Sequence, residues 1–152
     1  MINVTFNNNA IPVPIKFQPV YKVIILLALL RYGTAKPHNA TFLKLHLYMW
    51  ALRDEKNLDI LYKIKNKQRQ NLTPWSFEVS MEKTVTLAVI NQLCERSLKS
   101  GELQVSITTK GLELLQKIET MGLFADDLSK IKTIGNIPQS TILAANKNWE
   151  IF

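Results

Sequence analysis

Residues 81–119, MEKTVTLAVINQLCERSLKSGELQVSITTKGLELLQKIE, decide the fold class of this chain. Apolar side chains recur at helical spacing through residues 81–99, which predicts one helix over that range. Residues 99–102 then read Lys-Ser-Gly-Glu, and glycine favours a tight hairpin turn there because it readily adopts a positive φ. Residues 103–108 alternate between apolar and polar side chains, which is the period of a half-buried strand.

A further helix is predicted directly after this hairpin. The sequence Thr108-Thr109-Lys110-Gly111 offers a hydroxyl N-cap, and apolar residues at helical spacing follow it. Helix, hairpin and helix in this order form the second half of a winged-helix domain. We therefore predict a mainly α fold, a winged-helix domain with a small β-hairpin wing and extra N- and C-terminal helices.

The remainder of the chain divides into an arm and one domain. Residues 1–18 are predicted to be an N-terminal arm because prolines interrupt them, and residues 19–152 a single winged-helix-type domain. The apolar patterns predict helices over residues 20–31, 42–53, 54–67 and 123–131, and from residue 138 to about residue 149. Residues 75–79 alternate and predict a short strand paired with the hairpin.

Composition is that of an ordinary globular domain, with 47% hydrophobic and 20% charged residues among 152. The single cysteine, Cys94, lies on the apolar side of a predicted helix, so we expect a buried, unreactive thiol. One cysteine forms no internal disulfide, and we see neither a secretory signal nor an apolar run long enough to span a bilayer. These features predict a cytoplasmic protein.

The net charge of +7 is unevenly distributed along the chain. Residues 1–77 contain eleven cations and three acids, whereas residues 78–152 contain eight cations and nine acids. The densest basic segment, here called the basic cluster, consists of Lys63, Lys65, Lys67 and Arg69 with no acid nearby. It is either a solvated helix end that complements the helix dipole, a phosphate-contacting patch, or a site for an acidic partner. We take it as the candidate nucleic-acid-binding site.

The helix predicted over residues 81–99 occupies the position of the recognition helix of a winged-helix domain, but its side chains are poorly suited to bind DNA. Its outer side is expected to carry Thr84, Asn91, Gln92, Glu95, Arg96 and Lys99. Helices in the major groove use several basic or amide side chains without opposing charge. Here Glu95 shares the surface with the cations, and Glu102 offsets Lys99 at the wing tip. A protein-docking wing is at least as well supported as a DNA-binding one.

The first two predicted helices are apolar on nearly every side. A helix of this kind is either central in its domain or buried by a partner, and a domain of this size seldom encloses two. We therefore expect surplus apolar surface that a second subunit covers. The candidate interface residues are the aromatic ones that are enriched in binding hot spots, namely Tyr48, Trp50, Trp75 and Trp149.

No catalytic or cofactor-binding pattern is visible. The five glycines form neither a dinucleotide fingerprint nor a phosphate-binding loop, and His38 and His46 lack ligand neighbours at metal-binding spacing. His46 is expected to be a hydrogen-bonded structural residue, and Asp126 and Asp127 to complement a helix N-terminus. We therefore predict no enzyme activity, no cofactor and no metal.

Three segments resemble a known family. They are FLKLHLYMWALR at residues 42–53, the helix, hairpin and helix of residues 81–119, and GLFADDL at residues 122–128, which leads through Ile134-Gly135-Asn136 into the last helix. In order and spacing the chain resembles the small middle component of bacterial three-component ABC/SMC-type defence systems, of which Lamassu is the best-known kind. The likeness extends over most of residues 20–148.

The resemblance implies a non-enzymatic adaptor subunit in an anti-phage complex. Its implied partners are an SMC-like ABC ATPase and an effector subunit, often a nuclease, and it implies no catalytic residues. Sequence-independent DNA contact, if it occurs, is expected at the basic cluster, and no membrane contact is expected. The alternative is a freestanding winged-helix transcriptional regulator that dimerises through its N-terminal helices.

Overall fold

A computed structural model describes residues 18–149 of the chain, with side chains through residue 147. The predicted arm at residues 1–18 lies outside it except for Gln18, which precedes the first helix. The described part is mainly helical with one small antiparallel sheet. Its elements are α1 (Pro19–Tyr32), β1 (Asn39–Thr41), α2 (Phe42–Leu52), α3 (Glu55–Lys65), α4 (Met81–Ile90), β2 (Cys94–Lys99), β3 (Glu102–Ile107), α5 (Thr109–Thr120), α6 (Ala125–Ile134) and α7 (Gln139–Trp149).

Helices α1 and α2 form where the sequence predicts them, and together they build the centre of the core. Proline starts α1, and Gly33 follows its last residue at a position where an added Cβ would lie 2.6 Å from the ring of Tyr48. Thr41 caps α2 by accepting a hydrogen bond from the backbone N–H of Lys44. Most apolar side chains of α1 and α2 are buried by the chain itself, and of the rest only Val20 is more than half exposed. The expectation of surplus apolar surface on these helices is therefore wrong.

The predicted helix over residues 81–99 is also wrong in its second half. Helix α4 ends at Ile90, Gln92 adopts a positive φ of 62°, and residues 94–99 form strand β2. Cys94 and Leu98 are four residues apart, and this spacing suits one face of a helix as well as one face of a strand. Pairing with β3 over six residues decides for the strand.

The sheet has the order β1-β3-β2, with both pairs antiparallel. Its third strand is β1, which lies just before α2, whereas residues 75–79 form no strand and the prediction there is wrong. These residues are instead held by side-chain contacts, since Trp75 packs 5.1 Å from Phe77 between ring centroids and Phe77 stacks on His46. The sheet covers one side of α1 through β3.

The remaining helices follow the predicted order with small shifts at their ends. Asp54 caps α3, which ends at Lys65, two residues early, because Lys67 adopts a positive φ of 59°. Thr108 caps α5 through the backbone N–H of Gly111, as predicted. Helix α6 runs from Ala125 to Ile134, three residues beyond its predicted end. No helix of the described part is long and apolar enough to cross a membrane.

Candidate interaction surface

One face of the molecule combines α4 with the hairpin that follows it. We call it the α4–hairpin face and define it by Glu82, Thr86 and Ile90 of α4 with Arg96 and Leu98 of β2. The guanidinium of Arg96 donates hydrogen bonds to Thr86 Oγ1 at 2.8 Å and to Glu82 Oε2 at 3.3 Å. These hydrogen bonds connect β2 to α4, and they leave the guanidinium of Arg96 already bound within the chain.

The same face exposes large apolar side chains. Ile90 is 72% exposed and Leu98 is 73% exposed, and Leu103 of β3 lies directly opposite Leu98 in the hairpin. A shallow depression of about 340 Å³ lies along α4, lined by Glu82, Lys83, Thr86, Leu87 and Ile90. The charges of Glu82 and Lys83 cancel formally. The depression therefore offers apolar contact area and little electrostatic attraction for the phosphates of DNA.

The outer side predicted for the recognition helix does not exist as one surface. Thr84 is only 4% exposed, and the amide of Asn91 donates to the carbonyl oxygen of Leu87 at the end of α4. Glu95 and Lys99 belong to β2, on the opposite side of the strand from Arg96. The change from helix to strand after Ile90 therefore separates the residues that helical spacing had grouped together.

The basic cluster is divided among several local contacts. Lys63 forms an ion pair with Asp59 one turn earlier on α3, at 3.0 Å, and Arg69 Nε donates to the carbonyl oxygen of Asn71 at 2.6 Å. The ammonium group of Lys65 donates to the carbonyl oxygen of Ile134, at the C-terminal end of α6. Lys65 thus stabilises the end of a neighbouring helix, which removes it from the predicted phosphate-contacting set.

Three of the four predicted interface aromatics, Tyr48, Trp50 and Trp75, lie in the core or against it. Tyr48 is 3% exposed and Trp50 is 5% exposed, so neither presents its ring to a partner. Half-buried Trp75 packs 6.4 Å from Trp50 between ring centroids, and its indole N–H donates to Asn146 Oδ1 of α7 at 2.9 Å. Trp149 ends α7, and its side chain lies outside the described residues. Tyr48 and Trp50 are therefore core residues and not interface residues.

Tyr48 and Lys44 connect α2 to the loop between α6 and α7. The Tyr48 hydroxyl donates to the carbonyl oxygen of Gly135 at 2.7 Å and accepts from the backbone N–H of Ile137 at 2.9 Å. The buried ammonium group of Lys44 donates to Asn136 Oδ1 at 2.6 Å, and burial lowers the pKa of Lys44 to about 8. No local pattern could have revealed this cluster, because its two halves are about ninety residues apart.

A second polar cluster, centred on Glu78, anchors the segment before α4. Its carboxylate accepts hydrogen bonds from Lys22 Nζ at 2.9 Å, Arg53 Nη2 at 3.2 Å and Ser80 Oγ at 2.8 Å. Burial would raise the pKa of Glu78, but these hydrogen bonds outweigh burial and lower it to about 2. The backbone N–H of Glu78 donates to His46 Nδ1 at 3.0 Å, which confirms the structural role predicted for His46.

The described residues include no group of three or more His, Cys, Asp or Glu side chains placed to hold a metal ion. Asp127 lies in the first turn of α6, as expected for a charge that complements the helix dipole, and accepts a hydrogen bond from the Tyr21 hydroxyl at 2.8 Å. Cys94 is buried as predicted, although on a strand, and burial raises the pKa of its thiol to about 12.

Comparison of the chain with protein-family models, with curated proteins and with solved structures found no match.

Proposed function

We propose that this chain is a winged-helix adaptor subunit without enzymatic activity, which connects an SMC-like ABC ATPase to an effector nuclease in an anti-phage defence complex. The winged-helix assignment is supported by the hairpin that follows α4 and by the pairing of its second strand with β1, which precedes α2. The family assignment rests on the resemblance of residues 42–53, 81–119 and 122–128.

The observation that carries the adaptor role is the chemistry of the α4–hairpin face. A DNA-reading surface would present several free cations or amides at this position. Here Arg96 is bound by Glu82 and Thr86, while Ile90 and Leu98 are among the most exposed apolar side chains of the described residues. Apolar side chains surrounded by polar ones are the composition of a protein-binding surface.

The proposal is tested by co-expression of the tagged chain with the SMC-like ATPase and the effector encoded beside it in its genome. We expect all three proteins to co-purify, and we expect Ile90→Asp to release at least one of them. Ile90 is mostly exposed, so this variant should fold as the wild type does.

The matched control is Leu143→Asp on α7, which also places a charge at an exposed leucine and should leave the complex intact. Absence of an SMC-like ATPase from the genomic neighbourhood, or purification of the chain without partners, would contradict the adaptor role. Equal retention of partners by Ile90→Asp and wild type would remove the α4–hairpin face from the proposal.

The freestanding regulator is the second candidate, and the observation that favours it is the position of the hairpin directly after α4. A winged-helix regulator places this helix in the major groove and reads bases with its exposed residues. Such a protein would bind one duplex in preference to others, and Arg96→Ala would change that preference. The DNA-binding experiment described in the Discussion separates it from the adaptor.

A further inference from the structure

Strand β2 is the longer of the two outer strands of the sheet, since β1 at the other edge has only three residues. It pairs with β3 on one side, and among residues 18–149 no strand pairs with its other side. Every side chain of β2 except Cys94 is exposed. A six-residue outer strand with accessible side chains is a template for pairing with another strand, unless its charges oppose the approach.

The hairpin geometry shows which backbone groups of β2 are directed outward. The turn consists of Ser100 and Gly101, both with positive φ, as in the two-residue turn that suits the strand twist. Lys99 and Glu102 flank this turn and form the hydrogen-bonded pair that closes the hairpin. Since the pattern alternates along a strand, the backbone N–H and C=O groups of Arg96 and Leu98 are directed to the free edge.

We propose that β2 pairs antiparallel with β2 of a second copy of this chain, about a two-fold axis at Ser97. Ser97 then lies opposite Ser97 of the partner subunit, and Glu95 lies opposite Lys99 of the partner subunit. Arg96 lies opposite Leu98 of the partner subunit, and each such pair exchanges two backbone hydrogen bonds. The two three-stranded sheets become one continuous sheet.

The charge pattern of β2 selects this register. In a two-fold symmetric pairing one residue must lie opposite its own copy. If the two-fold axis lay at Glu95 or at Arg96, that residue would lie opposite its own copy, and like charges directly opposite each other destabilise a strand pair. Centring on Leu98 would shorten the ladder and leave Glu95 without an opposite charge. Centring on Ser97 pairs Glu95 with Lys99 twice and places no like charges together.

The neighbouring strand adds to the complementarity. Lys99 already lies opposite Glu102 within its own hairpin, so in the dimer its ammonium group would have a carboxylate on each side. The charges of β2 therefore suit a second copy of this strand, whereas a strand of arbitrary sequence would not match both ends.

A disulfide test reports on the axis directly. Residues in a non-hydrogen-bonded antiparallel pair have Cα atoms about 4.5 Å apart, which is within the range that a disulfide spans. Under mild oxidation Ser97→Cys should therefore form a covalent dimer on a non-reducing gel. Gln104→Cys is the matched control, since Gln104 lies opposite Ser97 in the hairpin and away from the axis. Wild-type protein, in which Cys94 is the only thiol, shows how much cross-linking Cys94 gives by itself. Cross-linking of Ser97→Cys no faster than that of Gln104→Cys would overturn the proposal.

A charge-exchange test by sedimentation gives an independent readout. Glu95→Lys alone and Lys99→Glu alone each place like charges opposite each other, so each should weaken self-association about tenfold or more. An equimolar mixture of the two variants restores both opposite-charge pairs and should associate as strongly as wild type. If both variants associate like wild type, or if their mixture associates no better than either alone, the proposed interface is wrong.

Discussion

The hydroxyl of Tyr48 on α2 lies 2.7 Å from the carbonyl oxygen of Gly135, to which it donates a hydrogen bond. The hydroxyl oxygen of Tyr48 also accepts a hydrogen bond from the backbone N–H of Ile137, so one side chain satisfies two backbone groups of the loop between α6 and α7. Ile137 is fully buried. Tyr48 therefore positions the C-terminal helices on the core through a loop whose sequence gives no sign of that contact.

Replacement of Tyr48 by phenylalanine should destabilise the protein by roughly 1–3 kcal/mol, because the N–H of Ile137 and the carbonyl of Gly135 both lose their partner. Urea unfolding followed by circular dichroism measures the change. Tyr62→Phe is the control, since the Tyr62 ring is 41% exposed and its loss of a hydroxyl should cost little. Equal urea midpoints for Tyr48→Phe and Tyr62→Phe would show that the hydrogen bonds of Tyr48 make no net contribution to stability.

Lys44 should make stability increase as the pH is raised above neutrality. Its pKa is about 8 in the folded protein and about 10.5 unfolded, so between these values the unfolded chain binds more protons. From pH 7 to pH 9.5 the free energy of unfolding of wild type should therefore rise by about 1–2 kcal/mol relative to Lys44→Met. Denaturant titrations of both proteins at the two pH values measure this difference. If the difference in unfolding free energy between wild type and Lys44→Met were the same at both pH values, burial would not destabilise the charged form of Lys44.

Glu78 should make stability depend on pH in the acidic range. Its pKa is about 2 in the folded protein against an ordinary value of 4.5, so its stabilisation is present above pH 4.5 and is lost as the pH falls towards 2. At pH 7 Glu78→Gln should cost roughly 1–3 kcal/mol because Lys22 and Arg53 lose their carboxylate. Thermal unfolding at pH 7 and pH 3 tests this, with exposed Glu113→Gln as control. The loss of stability of Glu78→Gln relative to wild type should be smaller at pH 3 than at pH 7. An equal loss at both pH values would argue against the ion pairs of Glu78 with Lys22 and Arg53.

Any DNA binding by the isolated chain should be weak, independent of sequence and steeply dependent on salt. Neutralising Lys63, Lys67 and Arg69 together should flatten the slope of log K against log salt by up to about three units, since each phosphate contact contributes about 0.9. Lys65 is left in place because it holds the end of α6. Fluorescence anisotropy with two unrelated duplexes over a salt series measures the slope.

Arg96→Ala is the control in that experiment, and under the adaptor proposal it leaves DNA binding unchanged because Glu82 and Thr86 already bind its guanidinium. Tight binding to one duplex only, lost on Arg96→Ala and retained by the triple variant, would contradict the adaptor and favour the regulator.

The sequence by itself determined the features that depend on residues a few positions apart. Thr41, Asp54 and Thr108 cap the helices that follow them, because each hydroxyl or carboxylate reaches a backbone N–H two or three residues ahead. Proline at the start of α1 acts through its own backbone preference, since its fixed φ suits the first turn of a helix. Helix order, and the approximate bounds of the helices other than α4, could therefore be predicted without any knowledge of tertiary contacts.

Only the tertiary structure decided between states that the local pattern left equally possible. Residues 94–99 form a strand because β3 offers them a complete ladder, although their apolar spacing also suits a helix. Tyr48 and Trp50 are buried because the chain folds its own helices around α2, whereas an apolar pattern does not identify which surface covers it. Lys65 binds the end of α6 and Glu78 joins Lys22 to Arg53, since these partners meet only when distant segments pack together.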